Sequence, residues 1–369
     1  MNGRYGSLEA ILGRLNMAVE GAGRPLTFME VCGTHTMAIF RSGLHSLLPA
    51  GLRLISGPGC PVCVTSQGDI DALVALADIP HAIVCTYGDM IRVPGSNGSL
   101  ERARANGADL RVIYSSMDAV KIASENPSRP VVFAAIGFET TAPATAAAID
   151  AAKARSLANF HAYISHKTIL PAMHALLSGD ASRLDGFLLP GHVSVIIGSE
   201  AYRPVVERYR IPCVISGFED IHMIAALMRL AELASARKVD LENVYPQAVK
   251  PLGNPAALAL LEKVFRVGDA SWRGLGPLPG SALVLNQAYE AFDARRKYAL
   301  PDTEVPEPAG CRCGEVILGK TTPAECGLFG TVCTPTNPVG PCMVSSEGTC
   351  QAWFKYQGTR IPEPSKASA

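Results

Sequence analysis

Six of the eleven cysteines crowd into positions 311–350, and three more stand in glycine-rich bends far upstream, in "VCGTHT" and "GPGCPVC". In a reducing compartment such clustering points to metal binding or redox work rather than structural disulfides. Cys311, Cys326, Cys333 and Cys350 are separated by 14, 6 and 16 residues, with Cys313 and Cys342 as extras. A zinc ribbon normally brings two close CxxC knuckles, and this segment has none. Loop spacing with glycine and proline between thiolates fits a four-thiolate iron–sulfur cluster better than structural zinc or free thiols. Spacing leaves Cys311 and Cys313 as alternatives for the first ligand.

Cys60 and Cys63 form a CxxC pair at the start of a helical pattern, where the helix dipole stabilises a thiolate. They read as a redox or catalytic dithiol; half of a zinc site is the alternative, and it would need a second pair nearby. Cys32 and His35 lie three apart at the mouth of a helix expected to begin near Thr34. That arrangement suits a cysteine ligand to a soft metal or a nucleophile assisted by His35. A buried cysteine beside a hydrogen-bonded histidine is the plainer reading. Glu139 in "GFETT" and His192 in "PGHVS" follow apolar runs, where a cleft needs proton carriers, although hydrogen-bonded structural roles are also open. Asp69 and Glu219 read as helix N-terminal carboxylates, and Cys85 and Cys213 as core.

Elements must position these groups. Unalternated apolar runs at 26–31, 52–56, 81–87, 110–115, 130–136, 160–166, 185–190 and 212–216 predict strands. Amphipathic stretches such as 69–78, 143–156 and 200–209 separate them, a pattern of parallel sheets covered on both faces. The expected fold class is α/β: two tandem parallel-sheet domains plus a C-terminal iron–sulfur-cluster region. Residues 1–125 would carry the CGTHT and CPVC loops and 126–222 the GFETT and PGHVS loops. Residues 223–369 would form a helical and irregular cluster-binding region, with the N-terminal segment packing on it and a disordered tail at 359–369. Five polar bends, after the runs at 26–31, 52–56, 130–136, 185–190 and 212–216, are expected on one rim, outside the carboxyl ends of strands where α/β sheets bind ligands.

Composition removes several classes of function. Thirty-three basic and thirty-three acidic residues give no field that gathers nucleic acid or anionic membrane. There is no P-loop and no GxGxxG. The N-terminal segment does not read as a signal peptide, and no apolar stretch approaches the roughly 18 residues of a membrane span. A soluble, cytoplasmic protein is expected.

Taken together, "CGTHT", "GPGCPVCVT", "GFETTAPAT", "PGHVSVIIG" and "ECGLFGTVCTPTNPVGPCMVSSEGTCQAWFKY" resemble, in order from about 26 to 356, the HypD family of nickel–iron hydrogenase maturation factors. The resemblance implies two related α/β domains plus a cluster-bearing part, and a scaffold for assembling the Fe(CN)2CO group. It implies a complex with the small chaperone HypC and receipt of cyanide from HypE, which carries it as a thiocyanate made with HypF. By matching motif, Cys32 would hold the iron, Cys60 and Cys63 would be the redox-active dithiol, and Cys311, Cys326, Cys333 and Cys350 would bind a 4Fe–4S cluster. Electrons would pass from cluster to dithiol to the iron, with His35, His192 or Glu139 managing protons. The rival readings are a cluster-dependent thiol–disulfide oxidoreductase and a zinc-stabilised binding protein.

Overall fold

Each of the eight apolar runs forms a strand: β1 (Leu26–Glu30), β2 (Leu52–Ser56), β3 (Ile83–Thr86), β4 (Asp109–Val112), β5 (Val131–Gly137), β6 (Phe160–Lys167), β7 (Gly186–Pro190) and β8 (Cys213–Ser216). The computed structural model describes residues 6–179, 184–301 and 303–356; the 359–369 tail lies outside the described residues. Three further strands follow, β9 (Leu241–Asn243), β10 (Phe265–Trp272) and β11 (Gly276–Leu285). One sheet has the order β2-β1-β7-β8-β9 and is parallel throughout. The other has the order β10-β11-β6-β5-β3-β4, parallel except where the β10–β11 hairpin joins β6.

The fold is therefore α/β with two parallel-dominated sheets, but the sheets are interleaved along the chain rather than tandem. The border expected after residue 125 falls between β4 and β5, which flank β3 in one sheet. The border expected after 222 falls inside the helix Asp220–Ser235. Apolar periodicity marks a strand without naming its partner, and here β1 pairs with β7 across 155 intervening residues that include β3–β6 of the other sheet. The 223–369 stretch also supplies strands. β10 and β11 are mostly half-exposed, with Val267 64% exposed, so their glycines and prolines hide the strand pattern.

Three cores organise the layers. One side of the first sheet is covered by the helices Leu8–Gly21, Gly33–Arg41 and Asp220–Ser235. The N-terminal helix packs along Asp220–Ser235, tied by Arg14 to Glu232 at 2.6 Å. One side of the second sheet is covered by Ser116–Glu125, Ala142–Ala154 and Pro255–Val264. Between the sheets lies a shared core that takes Met29 and Phe187 from one, Val132 and Tyr163 from the other, and Cys313 and Cys342 from the C-terminal segment. Each fully buried aliphatic or aromatic side chain there contributes roughly 1.5–3 kcal/mol. Among the described residues no helix is long and apolar enough to cross a membrane.

Candidate redox and metal site

Strand order brings the bends together. Because β1 and β2 are parallel neighbours, the chain leaves both at the same end of the sheet. Gly57 N–H donates to Glu30 O at 2.7 Å, and Gly33 N–H donates to Gly59 O at 3.1 Å. The two cysteine bends are thus stacked backbone to backbone. Cys32 is the N-cap of Gly33–Arg41, and Cys60 is the N-cap of the one-turn helix Pro61–Val64. β7 and β8 continue the row, placing His192 and Gly217 alongside. His35 Nε2 meets Gly217 O at 3.0 Å, and its ring lies 4.8 Å from that of Phe218, on which the His192 ring stacks at 3.9 Å.

Four of the five bends expected on one rim belong to this sheet. The fifth, holding Glu139, leaves β5 of the opposite sheet and meets the others across the shared core. Its carboxylate accepts Ile169 N–H at 2.9 Å through Oε1, while Oε2 is buried without a partner. Tyr202, which accepts the Ser194 hydroxyl at 3.1 Å, is close enough to feel both Glu139 and Cys32.

The C-terminal segment clasps both cysteine bends. The helices Cys313–Ile317 and Pro341–Val344 pack on Pro61–Val64, and Thr349–Tyr356 packs on Gly33–Arg41. Thr34 Oγ1 donates to Glu347 Oε1 at 2.5 Å. Cys60 Sγ lies 3.3 Å from Ser345 Oγ, and Asp89 fastens the same turn by accepting Ser346 N–H at 2.8 Å and its hydroxyl at 2.7 Å. Cys60 and Cys63 are joined as a disulfide, with Cys63 fully buried and Cys60 5% exposed. Cys63 N–H donates to Cys60 Sγ at 3.2 Å, the orientation expected of an N-capping sulfur.

All four expected cluster ligands, Cys311, Cys326, Cys333 and Cys350, line one pocket with Cys313 and Cys342. Thiol contacts run from Cys311 to Cys313, on to Cys342 and then to Cys350. Among the described residues no three Cys, His, Asp or Glu groups already meet as a metal-binding set, so the fit rests on the donor chemistry of the pocket. That chemistry suits an iron–sulfur group: six thiol sulfurs set among Val316, Leu328, Phe329 and Met343, with Arg312 the one charged residue of the lining. A buried cation, Arg273 Nη1, also lacks a hydrogen-bond partner nearby. Cys313 and Cys342, which spacing made extras, sit on the two helices that touch Pro61–Val64.

Burial sets the electrostatics. The Cys32 thiol is pushed up to about 12, by burial first and then by Glu347. Burial lowers His35 to about 4, so it is neutral near pH 7 and works as a hydrogen-bonding group rather than a proton carrier. His192 is exposed and is lowered by partial burial. Glu139 is raised to about 7 by burial, against the pull of its backbone hydrogen bonds. Glu30 behaves likewise: burial raises it to about 7, with Cys32 N–H at 2.9 Å and the Thr36 hydroxyl bonded to its two oxygens. Sequence reading passed over Glu30, Asp89, Ser345 and Glu347. Glu30 left one signal, as the only charged residue in "LTFMEV".

Two further carboxylates were expected at helix N-termini. Asp69 does sit in a first turn, capped by Ser66, but it also anchors a network with Tyr163 at 2.8 Å, Arg295 at 2.7 Å and Lys167 at 3.4 Å. Burial raises it, and Lys167 and Arg295 outweigh that to leave it below the usual carboxylate range. Glu219 is the N-cap residue of Asp220–Ser235 without a side-chain cap bond. Cys85 and Cys213 are buried in β3 and β8, as expected of core residues.

Glu139 gives a testable pH dependence. Its folded pKa, about 7, lies above its unfolded value, 4.5. The folded state therefore binds the extra proton across that window, and stability falls as pH rises from 4.5 to 7. At about 1.4 kcal/mol per pKa unit the loss reaches about 3 kcal/mol. Glu139→Gln is expected to remove that share of the decline. Urea melts of both proteins between pH 4.5 and 8 measure it, and equal slopes would contradict it.

Comparison with known proteins gives one consistent answer. Residues 7–357 match the family model described as "HypD: Hydrogenase formation hypA family". The chain is 45% identical over 337 residues to the hydrogenase maturation factor HypD of Escherichia coli K12, covering 91% of this chain and 90% of that one. It is 46% identical over 361 residues to the HypD of Rhizobium leguminosarum, covering 96% and 94%. With the HypD of Azotobacter vinelandii the identity is 47% over 340 residues, covering 90% of each chain.

Proposed function

The chain belongs to the HypD family of hydrogenase formation proteins, and from that premise we propose that it is the scaffold on which the Fe(CN)2CO group of a nickel–iron hydrogenase is assembled. As a hydrogenase maturation factor it works with other maturation proteins. In this proposal Cys32 holds the iron cargo jointly with the N-terminal cysteine of a HypC-type chaperone. A HypE-type carrier, charged upstream by HypF, presents cyanide as a thiocyanate. The work takes place in the cytoplasm, where the thiols stay reducible.

The supporting observation is the clasp itself: the Cys32 bend, the Cys60–Cys63 bend and the cysteine-rich segment form one contiguous packed unit. Cys311, Cys326, Cys333 and Cys350 would hold a 4Fe–4S cluster, with Cys313 the alternative to Cys311. When bound, such a cluster supplies single electrons at low potential. Freeing cyanide from a thiocyanate takes two electrons and two protons, leaving a thiol and hydrogen cyanide. The Cys60–Cys63 dithiol, closing to its disulfide, yields two electrons and two protons, so the two half-reactions match. Glu139 and His192 are the proton carriers; His35, fixed on Gly217 O, positions the Cys32 helix against the β8 bend.

The rival thiol–disulfide oxidoreductase suits the same dithiol poorly. Both sulfurs are buried, so a bulky disulfide substrate lacks a path for in-line attack, and turnover of generic disulfides is expected to be slow. The deciding experiment is anaerobic co-purification with the small chaperone, followed by infrared spectroscopy and iron counting. Bands of bound cyanide and carbonyl with about five irons per chain, four in a cluster and one as cargo, support the proposal. Cluster iron without those bands refutes the scaffold role.

A further inference from the structure

Where the two redox segments meet, a buried cation is only partly answered. The Arg273 side chain is fully buried. Its backbone N–H donates to Val64 O at 2.9 Å, Nε to Thr65 O at 3.2 Å and Nη2 to Gln67 Oε1 at 3.1 Å. These are the residues that directly follow the Cys60–Cys63 turn. Nη1 has no hydrogen-bond partner and faces one carboxylate, Glu307, at 3.4 Å. The next residue, Gly274, is pressed against the cysteine segment: a methyl there would lie 2.7 Å from Gly314 O. Glu307 stitches the same contact by accepting Gly274 N–H at 3.1 Å and Gly314 N–H at 3.3 Å. Gly314 directly follows Cys313, so Glu307 links the guanidinium to the backbone beside Cys313, while Thr65 and Gln67 link it to the dithiol turn.

We propose that Arg273 is a positioning residue whose fixed positive charge raises the reduction potential of the iron–sulfur group held by segment 311–350, and that its bonds to Val64, Thr65 and Gln67 tie that charge to the seating of the dithiol turn. The inference rests on the cluster reading above. A buried ion costs several kcal/mol unless it is paired, and Glu307, 31% exposed, is a partial partner. A thiolate-bound cluster supplies the missing negative charge. Taking up one electron, 4Fe–4S(2+) to 4Fe–4S(1+), adds a further negative charge that a neighbouring cation favours, and more strongly out of water than in it.

The test is a redox titration of the anaerobically purified full chain, with dithionite as electron donor and the reduced cluster followed by electron paramagnetic resonance. Arg273→Gln is expected to lower the equilibrium constant for reduction at least about tenfold, about 59 mV for one electron. Arg273→Lys, which keeps the charge, should stay within about threefold of wild type. Glu307→Gln, which unmasks the guanidinium, should shift the constant the opposite way. An unchanged Arg273→Gln potential overturns the proposal while leaving the cluster reading intact. Loss of the cluster from both Arg273 variants shows a packing role alone and also overturns it; loss from Arg273→Gln only supports the need for charge. A wild-type protein with no iron–sulfur signal removes the cluster reading and this proposal with it.

Discussion

Replacing Cys32 with Ser is expected to stop hydrogenase maturation while leaving the cluster-binding segment loaded. Cys32 occupies the N-cap position of Gly33–Arg41, and its thiol is buried beside Glu30 and Glu347. Serine keeps the shape of the turn, since the Cys32 side chain makes no cap hydrogen bond, so the fold should lose no more than about 1 kcal/mol. The chemistry changes much more. With its thiol raised to about 12 by burial, Cys32 would in the proposed role release its proton when the iron replaces it, the usual coupling of metal binding to ligand deprotonation. A serine hydroxyl is a harder, less acidic donor and poorly suited to low-valent iron. Groups that merely orient metal ligands are worth about 10–100-fold, so loss of the anchor should cut maturation by at least about a hundredfold. Co-purification with the small chaperone and infrared spectroscopy read it directly: cyanide and carbonyl bands should vanish while iron–sulfur absorption stays. Bands that persist in the variant assign the anchor to another residue.

That expectation was reachable from sequence because Cys32, Cys60 and Cys63 announce themselves as thiols in glycine-marked bends after strands. The strands were legible for a related reason. A strand such as β5 is buried at all seven residues, and continuous burial on both faces leaves an uninterrupted apolar run. What could not be read was pairing. Nothing in "LTFMEV" or "DGFLLP" says that they lie side by side, or that β3–β6 form a separate sheet between them in the chain. The hairpin of β10 and β11 is hidden by exposure, and with it Arg273, a cation in a loop-like glycine context that the fold buries against Thr65 and Gln67.

The site showed the same division. Residues recognisable by reactivity stand out in the sequence, whereas residues that act through packing do not. Glu347 and Ser345 look like ordinary turn residues in "VSSEGT", and Asp89 like a loop acid. Each acquires a role only through a neighbour at least 250 positions away in the chain. Asp69 erred in the opposite direction. Its place in a capped first turn was legible, but its partners Tyr163, Lys167 and Arg295 come from elements distant in sequence.

Gly59 is where packing without reactivity should have its largest effect. It does not adopt a positive φ, so its need for glycine comes from neighbours rather than from its own backbone. A methyl group at Gly59 would sit 2.1 Å from Cys32 N, 2.3 Å from Val31 C and 2.4 Å from Cys32 Cα. These are backbone atoms of the adjacent bend, with no flexible side chain to move aside. Overpacking a tight site costs typically about 1–3 kcal/mol, and Gly59→Ala should fall at the upper end because the strain can be relieved only by parting the Cys32 and Cys60 bends. Parting them would break the Gly33–Gly59 bond and widen the gap between Cys32, the proposed iron anchor, and the Cys60–Cys63 pair, so maturation should fail even in molecules that remain folded. Gly13→Ala provides the contrast, because Gly13 lies within the helix Leu8–Gly21 and a methyl there meets nothing within 4 Å. That change should stabilise the chain by up to about 1 kcal/mol. Paired thermal melts and maturation assays separate the two effects. A Gly59→Ala protein with wild-type stability and full maturation would show that the bends need not touch, and the stacked arrangement of Cys32 on the Cys60 turn would lose its functional meaning.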